Sequence, residues 1–247
     1  MRARDRSSWF LAGCIALAIP GCRSLPPEVD TATPARSLVG KALEKYGGRE
    51  AYAGLRSLRQ QAVVTYYGDD QPQTGRFLLE FKAPDRLRIE GQAGDRSVVQ
   101  VQNGTTTHEW VNGMETRRDI MPELVRRLDS LFILALFEGG EAAGVTLVGT
   151  PEVAGHETAA LEVERGTTVW TLYLDLQTYL QRRLKERVRQ EGKSVVNDTF
   201  LDGHRFVDGR PFAWNFLTLQ NGKKMQEAQM VAVEVNPEIP DWRFERP

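Results

Sequence analysis

From Ser57 to Val235 the chain is written mostly in a period of two. In SLRQQAVVTYY, Leu58, Ala62, Val64 and Tyr66 alternate with polar neighbours. RFLLEF sets Phe77, Leu79 and Phe81 on one face, and after the break at KAPD, RLRIE sets Leu87 and Ile89 against Arg86, Arg88 and Glu90. SVVQVQ and TTTHEW flank Asn103-Gly104, a strong hairpin dipeptide. The series resumes with VTLVGTPEV, ETAALEVE, TTVWTLYLD, YLQRRLKERVR, KSVVNDTFLDGHRFV, FAWNFLTLQ and KMQEAQMVAVEV, separated by short polar or glycine-bearing turns such as Glu191-Gly192 and Asn221-Gly222. Short alternating strands at regular spacing predict one large antiparallel sheet with a solvated face. A sheet of about 10 or 11 strands curls rather than lying flat.

Two stretches follow a helical period instead. ARSLVGKALEKYGG places Leu38, Ala42 and Leu43 on one stripe and stops at Gly47-Gly48, and REAYAGL predicts a further helical turn. MPELVRRLDSLFILALFEGG repeats Leu124, Leu128, Leu131, Phe132, Leu134, Ala135 and Phe137 at helical intervals between Pro122 and Gly139-Gly140. A helix that apolar must be covered or must cover something apolar. The predicted fold is therefore mainly β with α: a large curled sheet, an incomplete barrel, with an N-terminal helix and a central helical lid, Met121 to Glu138, over its concave face.

The opening of the chain changes the picture. FLAGCIALAIPGC holds the only two cysteines, Cys14 and Cys22. Arg2, Arg4 and Arg6 precede an apolar run from Trp9 to Ile19. That run has the length of an export signal and falls short of the roughly 20 residues that span a bilayer. Both LAGC and IPGC resemble the lipobox of bacterial lipoproteins, LAGC more closely by letters. Cleavage before Cys22 leaves the full apolar run upstream and the polar tether RSLPPEVDTATPARS downstream, so position favours Cys22 as the lipidated residue. Cys14, an ordinary secretory signal and an uncleaved anchor are the alternatives. The expected division is a signal peptide over 1–21, a tether over 22–35 and one domain over 36–247.

Charge and composition mostly exclude. A net charge of −1 over 247 residues offers no basic surplus for nucleic acid. Without cysteine after Cys22, the domain has no disulfide and no thiolate metal site. There is no G-x-S-x-G elbow, no H-E-x-x-H and no phosphate-binding Gly-Lys-Ser/Thr loop. His108, His156 and His204 are expected at turns or on polar strand faces. FLDGHRFVDG gathers two acids, a histidine and an arginine, but Asp202-Gly203 and Asp208-Gly209 are turn dipeptides, and the polar residues between them are expected to face water. No catalytic residue, metal or cofactor is expected, and the chain is not expected to be an enzyme.

The informative residues are apolar. Tyr66, Phe77, Phe81, Leu87, Ile89, Trp110, Trp170, Leu172, Trp214 and Phe216 are the candidate lining of the concave face, with Phe132 and Phe137 from the helix above it. Phe212, Trp214 and Phe216 make the clearest alternating stripe. Around Trp170 the opposite set, Val169, Thr171 and Tyr173, is the alternative inward face. A gap lined this way holds acyl chains, each buried methylene contributing about 0.8 kcal/mol. A solid core with binding elsewhere is the competing reading.

The order of helix, meander, apolar helix and second meander resembles the periplasmic lipoprotein-carrier superfamily. GRFLLEFKAPDRLRIE is similar to its strand, basic–x–Pro turn and strand; LYLDLQTYLQRRLKE to its strand, Asp turn and strand; and FVDGRPF…VAVEVNPEIPDWRFERP to its closing strand and tail. The resemblance spans about residues 36 to 247 and implies lipid, or the acyl chains of lipoproteins, as ligand, with a soluble periplasmic carrier as a possible partner and a monomer as the expected state. Two departures stand out. Ala83 occupies the position of the soluble carrier's lid-latching arginine, and the loops GDDQPQT and GQAGD lack the apolar tip of its outer-membrane receptor. The lipoprotein sorting rule adds a destination: Arg23, rather than aspartate, follows Cys22, which implies the outer membrane, facing the periplasm.

Overall fold

A computed structural model of the protein describes residues 32–68, 71–118, 144–165, 168–190 and 193–245. Cys14, Cys22, residues 22–31 of the expected tether and the predicted helix Met121 to Glu138, with Phe132 and Phe137, lie outside the described residues.

Two antiparallel meanders share one sheet. The first is β1 (Ser57–Tyr66), β2 (Gln73–Lys82), β3 (Arg86–Ala93), β4 (Arg96–Asn103), β5 (Thr106–Val111) and β6 (Met114–Arg118). The second begins with β7 (Thr146–Gly149), β8 (Glu152–Val153), β9 (His156–Arg165), β10 (Thr168–Asp175), β11 (Gln181–Gln190) and β12 (Lys193–Asp202). It closes with β15 (Asn215–Gln220) and β16 (Lys223–Val235), after a separate hairpin of β13 (Arg205–Val207) and β14 (Arg210–Phe212).

Across the sheet the order is β6-β5-β4-β3-β2-β1-β16-β15-β12-β11-β10-β9-β7, with β8 on β9. The two meanders therefore meet where the first strand pairs with the last, Leu58 opposite Val235 and Tyr66 opposite Gln226. The edges are β6 and β7, the strands that flank residues 119–143 in sequence, and they do not pair to close a barrel.

Among the described residues the sheet has 14 strands, where about 10 or 11 were expected. Pro151 splits VTLVGTPEV into β7 and β8, since proline supplies no ladder donor. The turn at Asp202-Gly203, with Gly203 at φ 63°, ends β12 and detaches β13. β6 follows a second tight turn, at Asn112 and Gly113, both with positive φ.

Register defines two faces. On one, helix α1 (Ala32–Lys45) packs Val39, Ala42, Leu43 and the following Tyr46 against Leu161, Val163, Leu172 and Leu174. The helix stops at Gly47, whose φ of 97° suits a residue without a Cβ. Helix α2 (Gly48–Ala53) follows, and Leu55 beyond it joins Phe212 of the β13–β14 hairpin over Leu58, Phe81 and Leu87. Buried Arg210 ties that hairpin down by donating to the Ala51 carbonyl and to Asp208.

The other face carries the C-terminal tail. Ile239 and Phe244, the latter in a 3-10 turn at Asp241–Phe244, pack on Val101 and Trp110. Asn236 sets the tail's departure: its Oδ1 accepts from the Arg56 and Ser57 amides at 2.7 and 3.2 Å, and its Nδ2 donates to Gly54 O at 2.9 Å. One glycine is demanded by close approach between strands, because a Cβ at Gly75 would lie 1.9 Å from the Gln92 carbonyl oxygen.

Candidate functional site

The helix-bearing face of the first meander is built by alternation. Leu58, Ala62 and Val64 of β1 stand opposite Phe81, Phe77 and Gly75 of β2. Leu87 and Ile89 of β3 stand opposite Phe81 and Leu79. Across the seam, Met230 and Ala228 of β16 continue the row, and Phe216 of β15 stands opposite Ala228. Two apolar clusters result. Leu58, Leu79, Phe81, Leu87 and Phe212 form one; Ala62, Val64 and Met230, with Tyr66 and Phe216 beside them, form the other. Phe77 and Trp214 pack against both and join them.

Six of the expected lining residues, Tyr66, Phe77, Ile89, Trp170, Trp214 and Phe216, are only half-buried. Large rings on an inner face that stay partly open mark apolar surface not yet removed from water. The Arg205 guanidinium lies 4.6 Å from the centroid of the Trp214 ring, a cation over the rim of this surface.

The remaining expectations divide. Phe212, Trp214 and Phe216 do point into this assembly, but from a hairpin, a connection and β15 rather than from one strand. Trp170 and Leu172 share the helix-bearing face and belong to the cluster beneath α1, so the alternative set of Val169, Thr171 and Tyr173 faces away. Trp110 is a correction. It pairs with Val99, on the opposite parity from Gln100 and Ile89, and is buried under Ile239 and Phe244 on the tail-bearing face.

Beside the apolar clusters lies a polar patch that the expected lining omitted. Continuing across the sheet, Ile89 meets Gln100 of β4, which meets Glu109 of β5; Leu87 meets Gln102, which meets Thr107. All four polar residues are buried. Gln100 Nε2 donates to Glu109 Oε2 at 2.8 Å, and Thr116 Oγ1 donates to Glu109 Oε1 at 3.0 Å. Gln102 Nε2 donates to Gly104 O at 3.0 Å, while its Oε1 is shut off from water without a donor. The signal was present in SVVQVQ and TTTHEW, where Gln100, Gln102, Thr107 and Glu109 occupy the parity that apolar residues hold on β3.

The histidines form no shared centre. His108 Nδ1 lies 2.6 Å from Glu115, and its ring stacks on Trp110 at 5.5 Å. His156 Nδ1 lies 3.1 Å from Asp175. His204 is half-buried rather than facing water; burial and then the charge of Arg182 push its pKa down to about 4. Among the described residues no group of three histidine, cysteine or acidic side chains is placed to hold a metal ion. Two grooves of about 430 and 410 Å³ lie along the tail-bearing side, lined by mixed polar and apolar residues such as Arg59, Arg76 and Leu78 in one and Val63, Leu217 and Glu227 in the other.

No family model matches the chain, and no curated protein matches it. Solved structures do. A DUF1329 family protein from Desulfovibrio piger superposes with a TM-score of 0.58 at 13% identity, covering 87% of this chain and 98% of that one. A LolA superfamily protein from Nitrosomonas europaea gives 0.57 at 12% identity, with 87% and 98% coverage. The fold is LolA-like. A domain from Vibrio parahaemolyticus named for outer membrane lipoprotein sorting agrees, with a TM-score of 0.55 at 10% identity and 86% and 97% coverage. The LolA-like sheet is the frame on which this chain mounts its half-open apolar face, and the carrier resemblance carried by its sequence motifs stands at the level of fold.

Proposed function

We propose that the protein is a lipid-anchored envelope protein that binds long acyl chains, of free lipid or of a lipoprotein, and passes them on without hydrolysing anything. The observation that carries this reading is the joined apolar surface of Phe77, Ile89, Trp214, Phe216 and Tyr66, left half-open on the helix-bearing face. Its support is the LolA-like fold, shared with a domain named for lipoprotein sorting. Cys22 is the proposed lipidation site and the outer membrane, facing the periplasm, the proposed location; a soluble periplasmic carrier is the proposed donor. With Ala83 in place of a latching arginine, transfer runs down an affinity gradient rather than through an energy-coupled release.

The test is lipid retention. Full-length protein from cell envelopes, analysed by native mass spectrometry, is expected to carry lipid, and Trp214→Asp or Phe77→Asp to lose it while keeping the fold by circular dichroism. An empty protein that also refuses a labelled acyl probe sinks the reading. For the anchor, Cys22→Ser is expected to release the protein from membranes and Cys14→Ser to leave it bound; the reverse result moves the anchor to Cys14.

A second reading, a non-transporting scaffold or sensor, has one observation in its favour. Phe212, delivered by the chain's own β13–β14 hairpin, already fills part of the face over Leu58, Phe81 and Leu87.

A further inference from the structure

We propose that the β13–β14 hairpin is a built-in plug of the acyl site: Phe212 occupies surface that a bound chain takes, and the plug lifts when His204 gains a proton. The inference rests on the acyl-binding reading above and adds its regulation.

The hairpin is an excursion from the sheet with its two ends pinned side by side. The Trp214 amide donates to Asp202 O at 2.9 Å, and Asp202 stands opposite Asn215 in the β12–β15 ladder. Beyond those pins, β13 and β14 pair only with each other. The hairpin can therefore swing about its base without breaking a rung of the main sheet, and exposed Gly203, at φ 63°, opens that base. What the hairpin delivers is Phe212, buried in the cluster of Leu58, Phe81 and Leu87. Half-open Phe77 and Ile89 pack against that same cluster, so the ring closes one end of the surface proposed for the ligand.

The seat of the plug leaves polar atoms unpaired. Arg210 donates to the Ala51 carbonyl and to Asp208, yet its buried Nε has no partner. Both ring nitrogens of His204 are shut off from water, and neither meets a partner at hydrogen-bond geometry, although the ring approaches the Gln181 backbone. Buried polar groups are ordinarily satisfied, and each one left unpaired favours a state in which water reaches it. An apolar ring thus holds closed a segment whose polar groups gain from opening, which is the balance a two-state element needs.

His204 sets the direction. It faces Arg182 from β11, Asp202 from β12 and Asp175 from the end of β10, with Arg205 beside it in sequence. The two carboxylates are already engaged: Arg182 donates to Asp175 Oδ2 and to Asp202 Oδ1, each at 3.0 Å, and His156 Nδ1 lies 3.1 Å from Asp175 Oδ2. Burial, and after it Arg182, disfavours the imidazolium in the seated hairpin. A proton therefore binds the lifted hairpin better than the seated one, and acid moves the balance towards lifting. A ligand that needs the lifted state binds in proportion to its population.

The experiment measures binding of pyrene-labelled phosphatidylcholine, whose head group does not titrate between pH 5 and pH 7, to full-length protein at a fixed concentration of nonionic detergent. The wild type is expected to bind about tenfold more tightly at pH 5 than at pH 7. His204→Gln, neutral at both, is expected to lose that gain. Phe212→Ala removes the plug and is expected to bind about tenfold more tightly than the wild type at pH 7. Should either variant fail to fold, hydrogen exchange in the wild type decides: adding the lipid at pH 7 is expected to lower protection in residues 205–212 and to leave residues 237–245 unchanged. Equal wild-type affinity at the two pH values, an acid gain that survives in His204→Gln, weaker binding by Phe212→Ala, or hairpin protection that rises with lipid overturns the plug and leaves acyl binding standing. Protein that takes up no labelled lipid at either pH, Phe212→Ala included, overturns both.

Discussion

Two buried glutamates stand on opposite faces of the same meander, and the sheet treats them differently. Glu80, on β2, is 2% exposed beneath the C-terminal tail. Arg59 Nε donates to its Oε1 at 2.9 Å and Arg243 Nε to its Oε2 at 2.7 Å. Arg243 also donates to Glu90 at 2.7 Å, Arg88 pairs with Glu90 and donates to the Arg243 carbonyl, and Lys82 and Arg86 hold Asp241. Every charge in that layer has an opposite beside it, as buried ions require. Glu109, on β5 and the helix-bearing face, accepts from Gln100 and Thr116 among the described side chains, and Arg117 stands opposite it in the ladder. The tail-bearing face is covered by the chain's own C-terminus, while the helix-bearing face keeps Phe77, Ile89, Trp214 and Phe216 half-open. Apolar surface left half-open is where an outside partner can remove it from water.

Removing the charge from each glutamate measures this contrast. Glu80→Gln leaves Arg59 and Arg243 facing a neutral amide under the tail, and is expected to cost about 3 kcal/mol in urea unfolding. Lipid retention in the variant is expected to be unchanged wherever the fold survives. Glu109→Gln keeps a hydrogen-bonding partner for Gln100 and Thr116, and its cost is expected to be smaller than that of Glu80→Gln. Equal losses of stability in the two variants would break the comparison.

How much of this was legible in the sequence depends on the face. Period-two patterning puts Phe77, Phe81, Leu87 and Ile89 on one face, as the register does, because β2 and β3 carry charged alternates at Arg76, Glu80, Arg86, Arg88 and Glu90. It misplaced Trp110, since the strand TTTHEW has apolar character on the face that the tail covers, and only the tail's packing, 130 or so residues later in the chain, reveals which face that is. The β13–β14 hairpin was read as continuous strand because its turn dipeptides are the same as those that end ordinary strands. Gln100, Gln102 and Glu109 were visible as letters but not as a patch. Alternation assigns polar residues to water by default, and their burial is a tertiary property of neighbouring strands.

A pH dependence is expected to separate the two faces as well. His204 opens the connection into the hairpin that carries Phe212 onto the helix-bearing face. Burial, and after it the charge of Arg182, holds its pKa at about 4 against an ordinary 6.5, with Asp202 and Asp175 opposing. The unfolded chain therefore takes up a proton at His204 below about pH 6.5 that the folded chain refuses until about pH 4. The stability that His204 contributes is fully present above pH 6.5 and is lost as pH falls through that window. The tail clamp answers to a different range. Burial alone would raise the pKa of Glu90, but Arg88 and Arg243 hold it below its ordinary 4.5, so its contribution persists until more acidic pH. Hydrogen exchange, corrected for intrinsic rates and compared at pH 7 and pH 5, is expected to show protection falling in residues 204–214 while residues 237–245 keep theirs. His204→Gln is expected to flatten the first change. If hairpin and tail lose protection together, the two faces unfold as one unit, and the helix-bearing face is no looser than the face the chain has completed.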